Sequence, residues 1–338
     1  MDRDRTEIIK AGIFGTVVGD AIGVPVEFTS RTERRLDPVT DMREYGTHSQ
    51  PKGTWSDDSS MMLATMDSMI NNGGINYEDI MARFRDWKIN GRYTPHGQVF
   101  DIGITCSRAI GRYRPGMDPL ECGENGERDN GNGSLMRIMP VSLYAGIVDD
   151  YWDNGFITDA AEKVHGASRL THGHPRSQIG CMLYTSICHE LMDRGSRSVT
   201  EAAQDAIDGT FLFYEKARGK ALWYDESFEK ELRADQYGRM MNMEIFKSLP
   251  ENGIKSSGYV VHTLEAAVWC LLNSDSYSGC VLKAVNLGDD TDTVGAVAGG
   301  LAGICYGYDS IPGEWLDVIV SKDWIEKLCG DFSRILDI

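Results

Sequence analysis

The chain has 338 residues, 41% of them hydrophobic, with 51 Asp and Glu against 34 Lys and Arg, a net charge of −17. That apolar content can bury a core without help from disulfides. The acidic excess repels nucleic-acid phosphates at long range, which excludes non-specific binding to DNA or RNA but not a local pocket for a small phosphorylated ligand.

The opening MDRDRTEIIK is charged and does not read as a signal peptide. Helical periodicity starts at Ile9, Ile13 and Val17, widened by Phe14, Val18 and Ala21. Gly15, Gly19 and Gly23 fall on a face of the same segment, so close helix packing is expected there. The segment lacks G-K-[ST] and is not a phosphate loop. Asp20 and Glu27 stand near its end as polar groups in need of partners. Residues 30–55 read as a loop.

In GTWSDDSSMMLATMDSM, residues 53–69, Met62, Met66 and Met69 share a helical face beside Leu63. Ser56, Asp57 and Asp58 then fall at the helix N-terminus. An N-cap needs one such residue, and here there are three. Asn76 can cap a helix with Ile80, Phe84 and Trp87 on one face. Loops follow at 90–98 and 114–133, and Asp101 between them sits where a helix cap is the default reading.

In DNGNGSLMRIMP, residues 129–140, a Gly/Asn-rich turn runs into an apolar helix. Backbone N–H groups at such a start can hold phosphate, although an ordinary loop and cap explains the segment as well. His172 and His174 lie in a loop before another helix. Ser198 and Glu201 form a capping box ahead of Ala203, Ile207 and Phe211. His262, Ala266 and Trp269 line one helix face, and the longest apolar run, 266–272, is too short to span a bilayer.

In NLGDDTDTVGAVAGGLAGICYG, residues 286–307, Asp289, Asp290, Thr291, Asp292 and Thr293 precede a helix made almost wholly of small residues. Glycine weakens a helix intrinsically, so packing on all sides must compensate. A helix buried all round carries its N-terminal carboxylates inward, where they repel one another unless cations neutralise them. A loop at 306–314 and a last helix with Trp324, Leu328 and Phe332 end the pattern.

Strand-like alternation is nearly absent, and no linker, repeat or composition break appears. One all-α domain over residues 1–338 is expected. The eight cysteines form no C-x-x-C pair and several sit in apolar stretches, which predicts buried free thiols in a reducing cytoplasm. Asp carboxylates with Ser and Thr hydroxyls are hard oxygen ligands suited to Mg²⁺, Mn²⁺ or Ca²⁺. No Cys or His spacing suggests zinc, and D-T-D-T lacks the glycine and distal glutamate of an EF-hand. Spacing alone does not bring the two acidic segments together.

The ordered set GDAIGVPVEF, WSDDSSM, FDIG, GNGSLMR, LTHGHP, GYVVHTLEAAVWCLL and NLGDDTDTVGAVAGGLAG resembles the ADP-ribosylglycohydrolase family over about residues 8–306. The resemblance implies a compact all-α fold of that type and a binuclear centre of two Mg²⁺ (or Mn²⁺). It implies metal ligands at Ser56, Asp57, Asp58, Asp290, Asp292 and Thr293. Ser56 replaces a more usual threonine and keeps the hydroxyl, whereas Asp289 stands where glycine is common. The resemblance places Glu27 at the substrate cleft and Asn132, Gly133 and Ser134 against the ADP-ribose diphosphate. His172 and Asp101 match substrate-facing positions, and His262 stands where aspartate is frequent.

The expected activity is hydrolysis of ADP-ribose from modified protein side chains, arginine first, with Asp57 or Glu27 as general base and Asp292 in the catalytic centre. The expected partners are an ADP-ribosylated protein and the product ADP-ribose, with neither nucleic acid nor membrane. Rival readings are a serine-linked or O-acetyl-ADP-ribose hydrolase on the same scaffold, a crystallin-like structural member, and a Mg²⁺-dependent phosphohydrolase. The last would want an Arg or Lys clamp beside the carboxylates.

Overall fold

A computed structural model describes residues 4–148, 157–221 and 223–336. Its α-helices run, in chain order, α1 Arg5–Gly23, α2 Arg31–Leu36, α3 Asp57–Asn72, α4 Tyr77–Asn90 and α5 Ile104–Arg112. Next come α6 Met139–Val148, α7 Ile157–Arg169, α8 Pro175–Met192, α9 Val199–Ala217, α10 Glu226–Arg233 and α11 Met243–Lys247. The series ends with α12 Val260–Leu272, α13 Tyr277–Val285, α14 Thr291–Tyr306, α15 Gly313–Leu316 and α16 Lys322–Ile335. No strand occurs among the described residues, so the architecture is all-α.

The fold is organised around α1 and α14, which run antiparallel in direct backbone contact. A Cβ placed on Gly295 would lie 2.5 Å from the Gly19 carbonyl oxygen, and one on Gly19 would strike the Gly295 carbonyl in turn. Only glycine permits so close an approach of two main chains. The antiparallel run brings the C-terminal end of α1 to the N-terminal end of α14, where the Thr291 hydroxyl donates to the Gly23 carbonyl (2.8 Å). The segment Arg5–Val26 is apolar and long enough to cross a membrane, but 89% of its most apolar window is buried in the fold. Packing against α14 accounts for its composition.

Asn76, Ser198 with Glu201, and His174 cap α4, α9 and α8. All eight cysteines are buried and none forms a disulfide. The stretch 30–55 is not all loop: Ser30 and Glu33 form a capping box that starts α2. That S-x-x-E signal is present in the sequence, but the helix it opens is too short to show periodicity. Asp101 is no helix cap either. It lies ahead of α5, whose N-cap is Gly103, and its carboxylate accepts from the Ile102 N–H (2.9 Å).

Candidate metal centre

The acidic site is assembled from the two ends that the α1–α14 pair juxtaposes. Asp20, near the end of α1, is fully buried. Its carboxylate accepts from the Ser56 N–H (3.0 Å to each oxygen), the Ser59 N–H (3.1 Å) and the Ser59 hydroxyl (2.6 Å). Asp20 therefore clamps the N-terminus of α3 onto α1, where free N–H groups favour an anion. Burial raises its carboxyl to about 6, against those bonds. The local cap of α3 is Ser56, whose hydroxyl oxygen accepts from the Asp58 N–H (3.3 Å). Asp57 and Asp58 are thus not needed for capping.

Across the gap, the Thr293 hydroxyl of α14 lies 3.4 Å from Asp58 Oδ2, and the Ser56 hydroxyl lies 3.1 Å from the same oxygen. Segments far apart in sequence meet there. Asp290 is the N-cap residue of α14 but makes no capping bond with its side chain. Its Oδ2 accepts from Asn132 Nδ2 (2.8 Å). Asp292 Oδ1 accepts from the Thr293 N–H (2.8 Å). Within this cluster three buried oxygens remain without a hydrogen-bond partner among the described residues: Asp58 Oδ1, Asp290 Oδ1 and Asp292 Oδ2. No ion pair among those residues involves Asp57, Asp58, Asp290 or Asp292.

Uncompensated charge of this kind is costly in a protein interior. Burial first, then neighbouring carboxylates, pushes Asp57, Asp58 and Asp292 well above the usual carboxylate range, and burial raises Asp290. Hard oxygens, partnerless and without a protein cation, match the coordination preference of a hard divalent ion. The residues present fit the metal centre that the sequence resemblance implies.

Glu27 follows α1 and reaches the same cluster. One of its carboxylate oxygens lies within 4.8 Å of oxygens of both Asp290 and Asp292. Its Oε2 is hydrogen-bonded to His48 Nε2. Burial raises the Glu27 carboxyl to about 7, with the His48 bond opposing. Half-buried Asp101 stands beside them, its carboxylate within 4.8 Å of both Glu27 and His48 ligand atoms. Exposed Phe28, Gly103 and Gly258 mark where the cluster opens to solvent.

The loop 130–134 supports the site from behind. The Asn132 N–H donates to the Gly258 carbonyl (3.0 Å), and the Val260 N–H to the Asn130 carbonyl (3.0 Å). Asn132 Nδ2 donates to the Thr263 hydroxyl (2.9 Å) as well as to Asp290. Its side-chain amide is therefore an anchor for Asp290. Gly133 is packed between Cys106 and His172, and the loop closes into turns rather than a helix start, α6 beginning only at Met139. Ser134 and His172, like the carboxylates of the cluster, are buried. Ser134 is fully buried and its hydroxyl oxygen accepts from the Ser168 hydroxyl (3.1 Å). His172 is buried under Gly131 and Gly133, its Nδ1 bonded to the Thr171 hydroxyl (2.8 Å), and burial pushes its pKa down to about 3.

Asp289 is exposed and in the left-handed region (φ 62°), and its backbone pairs with Phe28 and Thr29. His262 bonds to the Ser257 hydroxyl (2.7 Å), which is a structural role. The periodicity gave no hint of His48, which sits in the aperiodic stretch before α3. A cavity of about 990 Å³ elsewhere, with His165, Trp223 and Glu231 on its walls, holds none of the acidic cluster.

Because Asp20 fixes the start of α3, Asp20→Ala is expected to weaken divalent-cation binding roughly 10- to 100-fold, the usual cost of losing an outer-sphere support. Titration calorimetry checks this; unchanged affinity would remove Asp20 from the site.

Comparison with known proteins supports the same grouping. The ADP-ribosylglycohydrolase family profile matches residues 1–337. An ADP-ribosylarginine hydrolase, Tri1, of Serratia proteamaculans is 30% identical over 320 residues, covering 94% of this chain and 77% of its own. The ADP-ribosyl-[dinitrogen reductase] glycohydrolase of Rhodospirillum rubrum is 29% identical over 318 residues, covering 91% and 88%. A solved structure described as an ADP-ribosylglycohydrolase-related protein complex superposes with a TM-score of 0.71 at 28% identity, over 98% of this chain and 99% of that one. With this fold and this acidic cluster, the chain belongs to the ADP-ribosylglycohydrolase family.

Proposed function

We propose that this protein hydrolyses the bond between ADP-ribose and a protein arginine side chain, using two Mg²⁺ (or Mn²⁺) ions. The observation that carries the metal reading is the set of three buried, partnerless oxygens on Asp58, Asp290 and Asp292. The arginine-linked substrate is supported by similarity to ADP-ribosylarginine hydrolases at 29–30% identity.

Ser56, Asp57, Asp58, Asp290, Asp292 and Thr293 would hold the cations. When bound, the cations would supply the positive charge that lowers the pKa of an attacking water and favours its attack on the distal ribose. Glu27 takes the proton of that water. Burial raises its carboxyl to about 7, a value suited to general-base work at physiological pH. The C1″–N bond breaks as the C1″–O bond forms, through an oxocarbenium-like transition state. The products are ADP-ribose and a free arginine. Asn132 keeps Asp290 in place, and Asp101 borders the path to the acceptor. Eight buried thiols outside any disulfide support a cytoplasmic setting.

Peptides carrying ADP-ribose on arginine, serine or glutamate, assayed with Mg²⁺, Mn²⁺ and EDTA, test the reading. Release from the arginine peptide only, and only with metal, is expected. Faster release from the serine peptide would reassign the acceptor, and turnover surviving EDTA would discard the metal centre.

A further inference from the structure

Glu27 lies past the end of α1 and owes its position to another part of the chain. Two contacts from the turn at residues 46–48 reach Glu27, and a third packs the turn on Pro25 two residues before it. The Thr47 hydroxyl donates to the Glu27 carbonyl (2.8 Å), Gly46 packs directly on the Pro25 carbonyl, and His48 Nε2 bonds to Glu27 Oε2. His48 is itself braced. Its ring lies 6.0 Å from that of Phe28 and 5.2 Å from that of Phe100, and its carbonyl accepts from Gln50 Nε2 (3.1 Å). One of its ring nitrogens is within 4.8 Å of carboxylate oxygens of both Glu27 and Asp101.

Two carboxylates so close repel each other; Asp101 is held by the Ile102 N–H (2.9 Å), and the Glu27 carboxylate is held by the imidazole of His48. We propose that His48 is a positioning residue that aims the Glu27 carboxylate at the metal cluster and keeps it from swinging away from Asp101. This inference rests on the proposed hydrolase reading. One Glu27 oxygen is occupied by His48, and a Glu27 oxygen also lies near Asp290 and Asp292. The imidazole thus restricts which way the carboxylate can turn without touching a metal ligand itself.

The test compares wild type, His48→Ala, His48→Gln, Glu27→Gln and the double variant His48→Ala/Glu27→Gln on an arginine-ADP-ribosyl peptide. The readouts are kcat, KM and Mg²⁺ affinity by calorimetry. His48→Ala is expected to lower kcat at least tenfold, with KM and Mg²⁺ affinity within about threefold of wild type. His48→Gln, whose amide N–H can replace the ring donor, is expected to recover most of kcat. In the Glu27→Gln background, His48→Ala should cost nothing further, since the two act as one unit.

An unchanged kcat in His48→Ala would overturn the proposal. So would a loss of Mg²⁺ affinity in both His48 variants, which would make the residue a general support of the fold. Wild type inert on every ADP-ribosyl peptide would instead overturn the hydrolase reading beneath it.

Discussion

Asp292→Asn is expected to abolish hydrolysis and, in EDTA, to make the protein more stable at pH 8 than wild type. Both effects have one source. Asp292 is 1% exposed, and its Oδ2 has no partner among the described residues. Burial, reinforced by Glu27, Asp58 and Asp290, holds its carboxyl well above its ordinary value. A group whose folded pKa lies above its unfolded one favours the fold while protonated, and that contribution is lost as pH rises through the folded value. Metal-free wild type should therefore lose melting temperature between pH 5 and pH 8, and added Mg²⁺ should restore it.

The neutral amide removes one such charge. An unmatched buried polar group costs about 1–3 kcal/mol and a charge more, so a gain of a few degrees is expected. Hydrolysis should fall by more than the roughly 10- to 100-fold typical of outer-sphere changes. Thermal melts across pH, with and without EDTA, beside peptide turnover, decide the matter. A metal-free wild type whose melting temperature is flat across that range would mean the carboxylates are not stressed as described.

Gly295→Val is expected to have the largest effect on stability. The Cβ of any larger residue would meet the Gly19 carbonyl oxygen, a backbone atom that cannot rotate away. Overpacking a core costs about 1–3 kcal/mol, and here two helices must separate. Even Gly295→Ala, which gains about 1 kcal/mol of helix propensity, should be net destabilising. It should also reduce Mg²⁺ affinity, because α14 carries Asp292 and Thr293. Gly330→Ala in α16 is the matched control: nothing lies within 4 Å of its added methyl, so a small gain is expected. Urea denaturation of the three variants checks the order, and a Gly295→Ala protein as stable as Gly330→Ala would contradict the contact.

How far the sequence could be read follows from the same physics. The helices around Ile9, Met62 and His262 were legible because their periodicity reflects burial of one face. The acidic site was legible as an excess: three polar residues at the start of α3 and more carboxylates at the start of α14 than a cap requires. Its second layer was not. Asp20 reads as a polar residue in need of a partner, and only the tertiary structure shows that the partner is the N-terminus of α3. His48 lies in a stretch without periodicity, so its bond to Glu27 leaves no local trace. Ser134 and His172 belong to a matching motif, but a motif does not show that both are buried and hydrogen-bonded to neighbouring side chains.

The glycine contact between α1 and α14 gives the protein a fixed gauge. Helices that touch through side chains can shift when those side chains change. Helices that touch through peptide groups keep a separation set by covalent geometry and van der Waals radii alone. The distance between the acidic ends they carry is therefore insulated from substitutions elsewhere, which can move the melting point while leaving the spacing of the oxygens alone.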